Sequence, residues 1–226
     1  MKKFLLSSFL TIFFNLSVFS DEYIYLGCEE SAETTVKDLL NNKTLKPLSK
    51  RQKKKMKKFF DYEINNRYSD YLRKQVIAGE TKMPINLAVT WLGRKDIRFH
   101  TFKISKRTDT GSKVEVCRSY GGRDINSPNF CHEYEKNTEN YIREEYTPGE
   151  SKTFKINRET LLFTERVHYP TPYTTKFQCH VLSAKNELEI LYQNHINYIK
   201  PLQDEWNVNI ANFLKQEREL EERNKI

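Results

Sequence analysis

The chain has 226 residues, of which 38% are hydrophobic and 30% charged, with 38 Lys and Arg against 30 Asp and Glu. That length is one domain's worth, with room for a helical appendage, and the composition implies a modest interior beneath a wet surface. Only seven glycines occur, none in a G-x-G-x-x-G or Walker spacing, which argues against a phosphate-cradling loop, and Lys richness alone does not indicate nucleic acid.

Residues 1–20 read as a secretory signal peptide. Lys2 and Lys3 form a positive start, Phe4 to Phe19 an apolar run broken by Ser7, Ser8, Thr11, Asn15 and Ser17, and Val18-Phe19-Ser20 a cleavage site. The run falls short of the roughly 20 apolar residues that cross a bilayer. Cleavage after Ser20 removes two lysines and no acids, leaving 36 basic against 30 acidic residues, no membrane span, and a periplasmic or secreted location. Leu26-Gly27-Cys28 has the outline of a lipobox, but Asp21 and Glu22 interpose charge and Tyr23 to Leu26 alternate as a strand does.

Four cysteines in an exported chain predict two disulfides, with three possible connectivities. Cys117 and Cys131 flank a loop containing Gly121, Gly122 and Pro128, which favours their pairing, and a loop of that size gives about 3 kcal/mol in the chain-entropy model. The remaining pair, Cys28 with Cys179, ties the first strand to the last and gives nearer to about 5 kcal/mol. No C-x-x-C spacing suggests thiol exchange.

Asp21 to Cys28 is the first predicted strand, followed by a short helix capped by Ser31 and ending near Asn41-Asn42. Within the segment 49–78, Met56, Phe60, Ile64, Tyr68, Tyr71, Leu72 and Val76 predict one amphipathic helix over residues 50–77. Its first turns carry Lys50, Arg51, Lys53, Lys54, Lys55, Lys57 and Lys58. This opposes the helix dipole and predicts fraying, and it also makes a candidate patch for an anionic surface, with Met56, Phe59 and Phe60 available to insert.

Ile85, Leu87, Val89 and Trp91 alternate before a Gly93 to Asp96 turn, and a second strand follows from Ile97, so a hairpin is predicted. Further strands are predicted at Lys113 to Tyr120, Phe130 to Tyr134, Tyr141 to Tyr146, Lys152 to Ile156, Leu161 to Val167 and Thr174 to Val181. Residues 185–226 carry a helical stripe from Leu188 to Leu214, with a kink or break at Pro201 and a final polar stretch that projects or frays. The expectation is an α+β fold: an antiparallel barrel or sandwich over 21–184, a basic amphipathic helix inserted, and a kinked C-terminal helix.

Chemical motifs are few. Asp109-Thr110-Gly111-Ser112 is similar to the tetrapeptide of aspartic proteases, but Lys106-Arg107-Thr108 precede it where that family has an apolar strand, and no second copy exists, so a turn is expected. The five histidines show no metal-binding spacing, although His100 and His180 fall on strand positions where they could share a face. Neither a catalytic residue, a metal ligand nor a cofactor is assigned. The hairpin Ile156-Asn157-Arg158-Glu159-Thr160 followed by Phe177-Gln178-Cys179 resembles small uncharacterised exported bacterial proteins, in which an early-strand Cys accompanies an I-x-R-x-T hairpin before a closing Cys. That resemblance implies the Cys28–Cys179 pairing and no activity. The sequence thus points to a disulfide-stabilised envelope protein with a non-enzymatic binding or structural role. The alternatives are attachment to lipid headgroups, glycans or nucleic acid through residues 50–58, and a hydrolase whose site is not visible.

Overall fold

The computed structural model describes residues 22–66, 69–106, 112–120 and 130–224. The signal-peptide reading of 1–20, the turn at Asp109 to Gly111 and the loop from Gly121 to Pro128 lie outside them. Eight antiparallel strands follow one another: β1 (Tyr23–Glu29), β2 (Phe99–Ser105), β3 (Lys113–Tyr120), β4 (Cys131–Lys136), β5 (Asn140–Thr147), β6 (Glu150–Asn157), β7 (Leu162–Tyr169) and β8 (Tyr173–Leu182). Each pairs with the next, and β8 returns to β1 with Tyr25 opposite Leu182 and Cys28 opposite Cys179, so the sheet is a closed barrel and not a sandwich. Closure leaves no sheet edge to template aggregation. The helices α1 (Val36–Leu40), α2 (Lys50–Asn65), α3 (Ser69–Ile77) and α4 (Ile85–Leu92) occupy the β1–β2 connection, with a 3-10 turn at Lys95–Ile97, and α5 (Lys185–Arg223) follows β8.

Period-two alternation gives the barrel an inner apolar set, Leu26, Phe102, Ile104, Val116, Phe154, Ile156, Phe163 and Phe177, all fully buried. Eight strands enclose only enough room for such side chains to fill. A second core lies outside the wall, where Tyr25 and Phe99 meet Leu39, Met56, Phe59, Leu191, Leu202 and Trp206. Gly27 faces this layer: a Cβ there would stand 2.6 Å from Leu191 Cδ2 and 3.0 Å from Val36 Cγ1, so α5 and α1 approach β1 as closely as they do because the side chain is absent. Disulfides bond Cys28 to Cys179 and Cys117 to Cys131, and each joins register partners on adjacent strands.

Five sequence expectations are corrected. Ile85 to Trp91 is helix, not strand: Ile85, Ala88, Val89 and Leu92 also recur at helical spacing, and a short apolar run does not separate the two periods. Gly93, at φ 64°, closes that helix in the left-handed conformation glycine adopts without strain. The predicted helix over 50–77 is two, α2 ending at an extended Asn66. The first turn of α2 does not fray, because Ser49 and Gln52 form a reciprocal capping box that satisfies the orphan donors despite the lysines. Thr35, not Ser31, caps α1, with Asp38 as its partner. Finally, of the kink or break expected at Pro201 the break is absent, since α5 runs as one helix through it. The bond lost there is offset by burial on both sides, at Tyr198 and Ile199 before it and Leu202 and Trp206 after it.

Candidate functional site

Along the barrel the inward positions change character. At one end the rings of Phe102, Phe163 and Phe177 pack together, with His100 4.5 Å from Phe177 and 5.1 Å from Phe163 between centroids. Toward the other end the same strand faces become ionic. Register places Arg143, Phe154, Glu165 and Thr175 side by side, and Phe154 and Thr175 are buried, so Arg143 and Glu165 belong to the inner face. One step further, Glu145, Lys152 and Val167 align in the same way, and Val167 is buried. Arg118 of β3 continues the inward set Val114 and Val116 and lies with its guanidinium 4.2 Å from the Phe154 ring centroid. From β4, Tyr134 and His132 complete the ring.

The charges are matched in number but not fully in geometry. Arg143 Nη2 stands 3.2 Å from Glu145 Oε2, and Lys152 Nζ 2.8 Å from Glu150 Oε2. Arg118 Nη1 reaches only to 3.9 Å from Glu165 Oε2, beyond hydrogen-bond length, and among the described residues this buried nitrogen has no hydrogen-bond partner. Burial, then the neighbouring Arg143, lowers the His132 pKa, so its ring is neutral at neutral pH. Burial raises the Tyr134 phenol, which keeps it a hydrogen-bond donor. His100 is held neutral in the same way, by burial first and then by Arg118 and Arg98.

The wall beside this ring is parted. Strands β4 and β5 share only the pairs Glu135–Ile142 and Lys136–Tyr141, whereas β5 and β6 share eight. Above those two pairs a hollow of about 410 Å³ opens between the strands, with Lys113, Glu133 and Ile142 on its rim and Tyr134 and Arg143 reached through it. Arg143 is therefore reached through the split, and Glu145 and Lys152 are also partly exposed.

The basic segment singled out from sequence is divided by the structure. Lys53 pairs with Glu205 and Lys57 with Asp61, each at 3.0 Å. Lys50, Arg51, Lys54, Lys55 and Lys58 are exposed, with no ion pair among the described residues. Met56, Phe59 and Phe60 are not free to insert into anything, since they form the inward face of α2 and pack against Trp206. His100 and His180 do not share a face: His100 is inside the barrel, and His180 is outside, 2.7 Å from Glu29. Glu115, Cys117 and Cys131 cluster, but both sulfurs are in a disulfide and offer no thiolate to a metal. The ionic ring itself was missed. Its signal was present in β5, where the inward parity that begins with Tyr141 continues to Arg143 and Glu145.

These features define a closed, up-and-down β-barrel, stapled by two disulfides and backed by a helical layer, with a cluster of inward-facing charges toward one end and a hollow beside it at the β4–β5 split. The disulfides fit a compartment outside the reducing cytosol, and among the described residues no helix is long and apolar enough to cross a membrane. Comparison with protein-family models, with curated proteins and with solved structures finds no match, so the site stands on its own geometry.

Proposed function

We propose that this chain is an exported, non-enzymatic binding protein of the periplasm or the exterior, whose barrel takes a small anionic solute, a carboxylate or a phosphate, at its ionic end. The observation that carries the reading is the buried Arg118 Nη1, which among the described residues has no hydrogen-bond partner and only a 3.9 Å contact to Glu165, on the same Phe154 ring as Arg143, which lines the hollow between β4 and β5. A buried donor left unpaired costs about 1–3 kcal/mol, and an anionic oxygen seated against it recovers that cost. The Tyr134 phenol adds a neutral donor at the same place. Size is limited by the filled apolar half: Phe102, Phe154, Phe163 and Phe177 occupy the space an acyl chain would need, which favours a compact solute over a lipid.

Isothermal titration with succinate and with inorganic phosphate at low salt tests this. Arg118→Met and Arg143→Met each weaken binding by about thirtyfold or more, the effect of removing one partner of a buried charge contact. Glu165→Gln strengthens it by removing the competing carboxylate. Binding that is absent for both solutes, or that is unchanged in the two arginine variants while their circular dichroism matches wild type, refutes the assignment.

A further inference from the structure

Three of the exposed cations of α2 share one line with an exposed ring. Arg51, Lys55, Lys58 and Tyr62 follow one another at spacings of four, three and four, which aligns them along one side over about 17 Å. Both paired lysines, Lys53 and Lys57, lie off this stripe, so it holds three of the five exposed cations without an ion pair among the described residues, with Lys54 and Lys50 on its flank. At its end Tyr62 meets Trp91 of α4, with centroids 4.8 Å apart, and these large rings remain 47% and 40% exposed. Trp91 is braced from behind by the buried Phe59 ring at 5.9 Å, so the pair is held at the surface by the core. Beside it a hollow of about 190 Å³ lies between Arg51, Lys55 and Arg94, floored by Leu48, Leu92 and Leu202. Arg94 is bound by both oxygens of Asp96, so the free charge at this hollow comes from Arg51 and Lys55.

Cations interleaved with an exposed Trp and Tyr, over an apolar-floored hollow, match the chemistry of a bilayer surface: phosphates outermost, then the level where amphipathic rings settle. We propose that this face of α2 and α4 seats the protein on a leaflet containing anionic phospholipid, with headgroup phosphates at Arg51, Lys55 and Lys58 and the Tyr62–Trp91 pair at the interface. Nucleic acid fits less well, because the two rings contact each other and their faces are not free to stack on bases. This surface is separate from the barrel chamber and does not depend on it.

The test uses vesicles of phosphatidylglycerol and phosphatidylcholine in equal parts, against vesicles of phosphatidylcholine alone, with co-sedimentation and tryptophan emission as readouts. Trp206 is fully buried, so a blue shift on binding reports Trp91. The wild type binds the anionic vesicles only and shifts its emission, and Trp91→Phe removes the shift. The combined Arg51→Gln, Lys55→Gln, Lys58→Gln variant loses about a hundredfold in partitioning, on about fivefold per neutralised charge. A control with Lys106→Gln, Lys155→Gln and Lys176→Gln, equal in charge lost but on the barrel exterior, binds as wild type. Equal binding to neutral vesicles, an equal loss in the control, binding without an emission shift, or duplex DNA bound as tightly at the same salt would each overturn the proposal. So would displacement of the vesicles by free phosphate beyond its ionic-strength effect, which would make a soluble anion the ligand.

Discussion

Barrel closure depends on the β8–β1 seam, and the Cys28–Cys179 bridge sits within it at a sequence separation of 151, against 14 for Cys117–Cys131. In the chain-entropy account the long loop contributes about 5 kcal/mol and the short one about 3 kcal/mol, because closing a longer loop removes more freedom from the unfolded chain. The perturbations are the paired variants Cys28→Ala with Cys179→Ala, and Cys117→Ala with Cys131→Ala. Three of these four positions are at most 3% exposed, and Cys131 is partly buried, so both variants leave small voids and the difference of about 2 kcal/mol survives the comparison. Urea unfolding followed by tryptophan emission measures it. The barrel persists in either variant, since five register pairs still join β1 to β8. For a chain of this length the long-loop variant melts about 10–20 °C lower and the short-loop variant about 6–12 °C lower. If the short bridge proves worth as much as the long one, the seam is not where the unfolded chain is restrained, and the reasoning fails.

Two further predictions concern the seat of α5. His195 is buried against Phe99 with Nε2 3.0 Å from the Ile97 carbonyl, and burial lowers its pKa to about 4. Its folded value lies below the unfolded value near 6.5, so its contribution is fully present above that pH and is lost as pH falls toward 4, by about 3 kcal/mol in all. Urea midpoints measured from pH 7 to pH 4 show that slope in wild type, and His195→Gln, which keeps a donor for Ile97, reduces it to the part that the buried His100 contributes; a variant with the wild-type slope counts against the assignment. Gly27→Ala pushes a Cβ to 2.6 Å from Leu191 and destabilises by about 1–3 kcal/mol, and Leu191→Ala in the same chain recovers part of the loss. A Gly27→Ala protein with an unchanged urea midpoint would mean that α5 does not bear on β1.

Part of the wall was legible because a half-buried strand writes its face into the sequence: Val114 and Val116 in β3, Phe154 and Ile156 in β6, and Phe177 and Cys179 in β8 alternate with polar residues, whereas β5 and β7 were marked mainly by the turns that bound them. The long stripe from Leu188 to Leu214 marked α5 for the same reason. Alternation failed at Ile85 to Trp91, where a segment is too short and too apolar for its period to be read. Closure was half legible: the Cys28–Cys179 pairing joined the first strand to the last, but a barrel stood beside a sandwich, because whether β8 meets β1 along its length depends on accumulated twist and stagger and not on either strand's own pattern. The chamber escaped notice for a different reason. Arg143 and Glu165 occupy inward positions, where charge is read by default as outward, and only the register with Phe154 shows their side. On α2 the sequence revealed the charge but not its division, because the partner that removes Lys53, Glu205, is distant in the chain.

The position of the chamber follows from where the helices enter. All of them lie in the β1–β2 connection or follow β8, so their apolar faces settle on the outer side of β1 and its neighbours, and Tyr25, Phe99 and Leu182 are covered there. On that side the inner residues are mostly apolar, with His100 kept neutral among the Phe rings, and Arg98 is held by Glu30 at 3.2 Å and lies over the Phe177 ring. Across the barrel, β4 and β5 separate after two pairs, and backbone groups that leave the ladder must find water. Water at the split lowers the cost of Arg143, Glu145 and Lys152 inside the wall, which in a dry interior would run to several kcal/mol per ion. The parted seam and the inward charges therefore support each other: water reaching the split solvates charge that a closed wall would leave dry, and the hollow lies where the two meet.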